Sequence, residues 1–63
     1  GFNYEGEEFI YVLEGRLEFF CGESKYELGP GDCLFVDGSL PHGGRALGDD
    51  KCLALLVVLP RNS

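Results

Sequence analysis

The chain has 63 residues, five basic and eleven acidic, for a net charge of −6. That length allows one domain at most, and a domain so small buries only about 60% of its unfolded surface, so it leans on a disulfide, a metal or a partner subunit. The acidic balance repels phosphate backbones and anionic membranes, so this segment binds no nucleic acid directly, and no apolar run reaches the ~18 residues of a membrane span. Ten glycines and three prolines punctuate short apolar runs, the pattern of many strands joined by turns. "EFIYVLEG" (Glu8 to Gly15) is rich in β-branched and aromatic residues and reads as a strand, with Glu14-Gly15 as a hairpin turn. "RLEFFCG" (Arg16 to Gly22) is the return strand, with Leu17, Phe19 and Cys21 on one apolar face. "GES" (Gly22 to Ser24) turns into "KYELG" (Lys25 to Gly29), where Tyr26 and Leu28 share a face. "GPGD" is a dense turn signal; it leads into a strand and not a helix, which excludes a phosphate-binding glycine loop. "CLFV" (Cys33 to Val36) reads as a short buried strand, "DGS" as a loop, and "HGGRALGDD" as irregular or weakly extended.

The last run, "KCLALLVVL" (Lys51 to Leu59), fits a buried helix or a strand covered on both faces. Val57, Val58 and the all-β context favour the strand. Such a strand needs two covers: one is the domain core, and the other is a second subunit or elements outside this chain. Cys21, Cys33 and Cys52 are odd in number and form no CxxC pair, so they read as free, buried thiols in a reducing cytoplasm, with one bridge plus a free thiol as the alternative. No signal peptide is visible, and the lack of any methionine marks the chain as a piece of something longer.

Two spacings carry the functional meaning. Glu8 is followed after six residues by Gly15, and Gly31, Asp32, Ser39, Pro41 and the only histidine, His42, form one block. "GEEFIYVLEGRLEF" and "YELGPGDCLFVDGSLPH" resemble the two motifs of the cupin family, H-x-H-x(3,4)-E-x6-G and G-x5-P-x-G-x2-H-x3-N. The resemblance implies an all-β fold, a small antiparallel cupin-type (jelly-roll-like) barrel that is truncated at its N-terminus. Residues 1–63 would be a single cupin domain.

The departures from the pattern decide the chemistry. The histidine positions of the first motif fall on Tyr4 and Phe2, or on Asn3 and Gly1 at the longer spacing. Asp37 stands where proline is usual, Ser39 where glycine is usual, and Ala46 in the asparagine position. Glu8 and His42 alone survive from the metal set, and two ligands fall short of the three or four of a catalytic site. The expectation is therefore no cofactor; a transition metal, if held, would sit on Glu8 and His42, completed by Asn3, Tyr4 or a cysteine. Without metal, Glu8 and His42 hydrogen-bond one another, or water, at the barrel mouth. The ligand-binding residues expected on this reading are Tyr4, Glu8, Tyr11, His42 and Arg45, with Arg45 placed to hold an anion. Phe9, Phe19, Phe20 and Phe35 line the pocket or pack the core. Glu7 points to the opposite face from Glu8, which leaves it solvated.

The hairpin "GEEFIYVLEG" and the "GPGD…PH" block are similar to the cupin domain at the C-terminus of some bacterial helix-turn-helix regulators. The resemblance implies a small-molecule-sensing and dimerisation domain in a cytoplasmic homodimer, with DNA bound by an upstream domain. The alternatives are a metal-dependent cupin enzyme of the dioxygenase, isomerase or decarboxylase type, and a cupin kept only for dimerisation.

Overall fold

A computed structural model describes residues 6–49 and 51–60. They form six strands: β1 (Gly6–Glu14), β2 (Leu17–Cys21), β3 (Ser24–Leu28), β4 (Cys33–Asp37), β5 (His42–Ala46) and β6 (Leu53–Pro60). All pairings are antiparallel, in two three-stranded sheets ordered β4-β1-β6 and β3-β2-β5. Among the described residues there is no helix, and so none long and apolar enough to cross a membrane. The all-β class expected from the turn pattern, and the jelly-roll-like arrangement that the resemblance implies, are observed.

Strand β1 organises the molecule because both of its edges are hydrogen-bonded, one to β4 and the other to β6. No edge remains for β2. Glu14-Gly15 is therefore not a hairpin turn, as the local residues suggest, but a corner that carries the chain into the second sheet. Gly15 has φ +77°, and a Cβ there would run into the Lys51 carbonyl oxygen and lie 2.9 Å from the Cys52 Cα. The true two-residue hairpin turn is Gly22-Glu23, where Cys21 pairs with Ser24.

Period-two alternation then sorts the side chains. Gly6, Glu8, Ile10 and Val12 of β1 are buried, whereas Glu7, Phe9 and Tyr11 are half-buried on the outer face. Ile10, Val12, Phe19, Leu28 and Val36 form the core between the sheets, flanked by Leu17, Cys21, Leu34, Cys52 and Ala54. The "GPGD" turn closes as the residues suggest. The Asp32 N–H donates to the Gly29 carbonyl at 3.0 Å, and the Gly29 N–H donates to the Asp32 carboxylate at 2.8 Å. Pro30 followed by Gly31 at φ +88° is the order a type II turn requires.

Three expectations change. "HGGRA" is a regular strand, β5, because its backbone pairs with β2 from Leu17↔Ala46 to Cys21↔His42. "CLFV" is buried only at Val36, with Leu34 intermediate, because Cys33 and Phe35 face outward. The cysteines are free but not buried: Cys33 is exposed, and Cys21 and Cys52 are intermediate. Strand β6 is an edge strand whose residues Leu55, Leu56, Val57, Val58 and Leu59 are 42–58% exposed, so neither of its faces is covered in full.

The corner and the turn make different demands on their glycines. A Cβ on Gly31 would meet nothing within 4 Å, so Gly31→Ala should cost only the left-handed backbone penalty of roughly 1–2 kcal/mol. Gly15→Ala adds collision with the Lys51 and Cys52 backbone and should cost clearly more, measured by urea denaturation of the two variants side by side.

Candidate functional site

The two sheets bring Glu8 and His42 together, although 34 positions separate them in sequence. Glu8 lies on the inner face of central strand β1, and His42 is the first residue of β5 on the facing sheet. Both are 4% exposed. The His42 Nε2 lies 3.2 Å from the Glu8 Oε2, and the His42 Nδ1 lies 2.8 Å from the Leu40 carbonyl oxygen. The Phe19 ring stands beside the imidazole, with centroids 6.2 Å apart.

The loop before β5 aims the ring. The Ser39 N–H and hydroxyl both donate to the Asp37 Oδ1, at 2.9 and 2.8 Å, and the Leu40 N–H donates to the Asp37 carbonyl at 3.3 Å. An aspartate and a serine therefore hold the turn by side-chain hydrogen bonds at the two places where the family pattern has proline and glycine. The Gly22 N–H donates to the Pro41 carbonyl at 2.8 Å, tying the same loop to the β2–β3 turn.

The Leu40 contact sets which imidazole nitrogen holds a hydrogen. A carbonyl oxygen only accepts, so Nδ1 carries a hydrogen. The Nε2···Oε2 contact then needs one more, held by the ring or by the carboxyl. In either form one hydrogen bridges the two buried groups, so each has a hydrogen-bond partner. Among the described residues, no buried side-chain nitrogen or oxygen lacks a hydrogen-bond partner.

Beside the pair lies a cavity of about 290 Å³. Among the described residues, its wall holds Glu8 and His42 as polar members, with Ile10, Leu17, Phe19, Gly43, Gly44, Ala54 and Leu56. Gly44 pairs with Phe19, and a Cβ there would press on Leu17, Phe19 and the Glu18 carbonyl at 3.2–3.3 Å. Of the residues expected to bind ligand, Glu8 and His42 meet. Tyr11 does not join them: it is three residues from Glu8 on one strand, which puts it on the outer face. Arg45 is three residues from His42 and also faces outward, donating from Nε to the Glu18 Oε1 at 2.9 Å. That hydrogen bond lowers the Glu18 carboxyl from its usual range. Tyr4 lies outside the described residues, as does Asn3. Phe19 lines the cavity, whereas Phe9, Phe20 and Phe35 do not. Leu17, Gly43, Gly44, Ala54 and Leu56 are not legible in the sequence as wall residues, although strand parity marks Leu17 and Phe19 as inward together.

Among the described residues, the donor set does not fit a catalytic transition-metal centre. Among the described residues no three His, Cys, Asp or Glu side chains converge. Both His42 nitrogens are already engaged, one by Leu40 and one by Glu8. Cys21 pairs across from His42 on the strand ladder, but its Sγ lies 3.8 Å from the Asp37 carbonyl oxygen. Burial, with the negative charges of Asp37 and Glu8, pushes that thiol up, which keeps it protonated and a poor ligand.

A buried hydrogen-bonded pair resists loss of one member more than loss of both. His42→Leu or Glu8→Leu alone should destabilise by about 3–5 kcal/mol. The double variant should be markedly more stable than the sum of the two, measured as a double-mutant cycle by chemical denaturation.

A family model described as a cupin domain matches residues 4–58 of the chain. No curated protein and no solved structure gives a match. The matched span holds both strands of the Glu8–His42 pair and all six strands of the fold but the end of the last, and the chain belongs to the cupin family.

Proposed function

We propose that this cupin domain senses a small molecule in the cavity between its sheets, without a metal, as part of a transcriptional regulator. The observation that carries the reading is the buried Glu8–His42 hydrogen bond at the edge of a cavity whose other described wall residues are apolar or glycine. Such a wall binds and orients a ligand but supplies no open coordination position for metal chemistry. A volume of about 290 Å³ is at the small end for ligand pockets, which suits a single-ring molecule. The regulator assignment draws on the resemblance of the "GEEFIYVLEG" and "GPGD" segments to regulator cupins, with DNA bound by another domain.

A sensor needs a second state or a partner through which binding is read. The outer face of the β4-β1-β6 sheet supports a second copy of the chain in that role. Phe35, Leu55 and Val57 are 59%, 55% and 44% exposed there, beside half-buried Phe9 and Tyr11. A patch of this kind on so small a chain gains from being covered across a two-fold axis.

Two measurements test these readings. Elemental analysis of the purified chain should find transition metal far below one per chain; stoichiometric metal that is lost in His42→Ala would overturn the metal-free reading. Sedimentation velocity should show a dimer that Phe35→Lys converts to monomer with unchanged circular dichroism, and a wild-type monomer would sink the dimer.

A further inference from the structure

A sheet edge is a row of backbone donors and acceptors open to a further strand, and folded chains blunt such edges with charge, proline, bulges or short length. Among the described residues the two sheets have four edges: β4, β6, β3 and β5. Three of them are blunted. Strand β4 has five residues and ends on Asp37, β3 has five with Lys25 and Glu27, and β5 has five with Arg45 and two glycines. Strand β6 has eight residues, LALLVVLP, without a charge, and its proline comes last. Its irregular register step lies opposite Val12 and Glu14 at its start, so the ladder to β1 is regular from Ala54 to Pro60.

Both faces of this edge are apolar. Ala54, Leu56 and Val58 share the inner face with Val12, Ile10 and Glu8, and Leu55, Val57 and Leu59 share the outer face with Tyr11, Phe9 and Glu7. The side chains from Leu55 to Leu59 are 42–58% exposed. A strand added here must be uncharged and apolar on both faces. Among the six described strands β6 alone has that composition, since each of the other five carries Glu, Asp, Lys or Arg. A second copy therefore supplies the matching strand. Two chains of net charge −6 meet there without like charges in the contact.

Symmetry narrows the register. Residues directly opposite in an antiparallel pair share a face. A two-fold axis normal to the sheet keeps inner face beside inner face, so each residue meets one an even number of positions away. Centred on Leu56, the pairs are Leu53 with Leu59, Ala54 with Val58 and Leu55 with Val57. Pro60, which has no N–H to donate, then stays outside the ladder.

We infer that β6 is a self-association edge, at which two copies pair antiparallel about a two-fold axis at Leu56 and join two β4-β1-β6 sheets into one. This contact goes beyond the dimer proposed above, because it uses the strand edge and not the sheet face that holds Phe35. It engages one strand per copy, against three for the face, so it forms at higher concentration.

The test is sedimentation velocity on the Phe35→Lys chain, which lacks the face contact, from micromolar to millimolar concentration. It should pass from monomer to dimer and stop there, because a two-fold contact consumes both edges. Leu56→Lys in the same background sets two ammonium groups against each other at the axis. It should weaken the dimer by more than about tenfold with unchanged circular dichroism. An equimolar mixture of the Leu56→Lys and Leu56→Glu chains should dimerise again. A Phe35→Lys chain that stays monomeric at millimolar concentration overturns the edge contact, and growth past the dimer overturns the two-fold. Dimerisation that Leu56→Lys leaves unchanged, or a mixture that stays monomeric, overturns the placement of Leu56 at the axis. The face dimer is decided separately, by the wild-type chain at low concentration.

Discussion

The occupation of both edges of β1 is the constraint from which the rest of the molecule follows. A central strand paired to β4 and β6 has no hydrogen-bonding positions left for the segment that comes next in sequence. The chain must leave the sheet at Gly15, where only a residue without Cβ fits against the Lys51 and Cys52 backbone. Strand β2 then starts a second sheet, and its own pairing with β3 and β5 completes that sheet. Two sheets facing one another, and not one meander, are what turn Glu8 toward His42.

That geometry explains why a buried acid and a buried imidazole are tolerable in so small a core. Among the described residues, five buried hydrophobic side chains fill the space between the sheets, which leaves little apolar burial to offset an unsatisfied polar group. The pair eases that cost by hydrogen-bonding together and by drawing the Leu40 carbonyl into the same network. The loop from Asp37 to Pro41 is part of that solution. Its turn is closed by the Asp37 carboxylate, and the carbonyl it presents sets which imidazole nitrogen holds a hydrogen. The polar network therefore couples backbone, loop and cavity wall. A ligand that entered it would act on both sheets at once, because one member of the pair belongs to each.

Much of this is legible in the residues alone. The turn residues locate the strands, and the Glu8-to-Gly15 and Gly31-to-His42 spacings locate the pair. The misplaced residues share one cause. Proximity in sequence to Glu8 and His42 suggests Tyr11 and Arg45 for the site, yet an odd separation along a strand reverses the face. The same parity argument, applied to Glu7 against Glu8, predicts which of the two is buried. The wall residues Gly44, Ala54 and Leu56 are illegible because small and aliphatic side chains carry no chemical signature. They acquire a role only when a facing sheet arrives.

The sequence by itself determined five of the six strands, the GPGD turn and the identity of the two surviving polar residues, since local backbone preference and motif spacing are properties of neighbours along the chain. Tertiary structure alone decided that Glu14-Gly15 is a corner and not a hairpin, that "HGGRA" is a strand, and that one face of β6 helps to wall a cavity. Those outcomes depend on which strand edges are already taken, and the taking of an edge is settled between segments far apart in sequence.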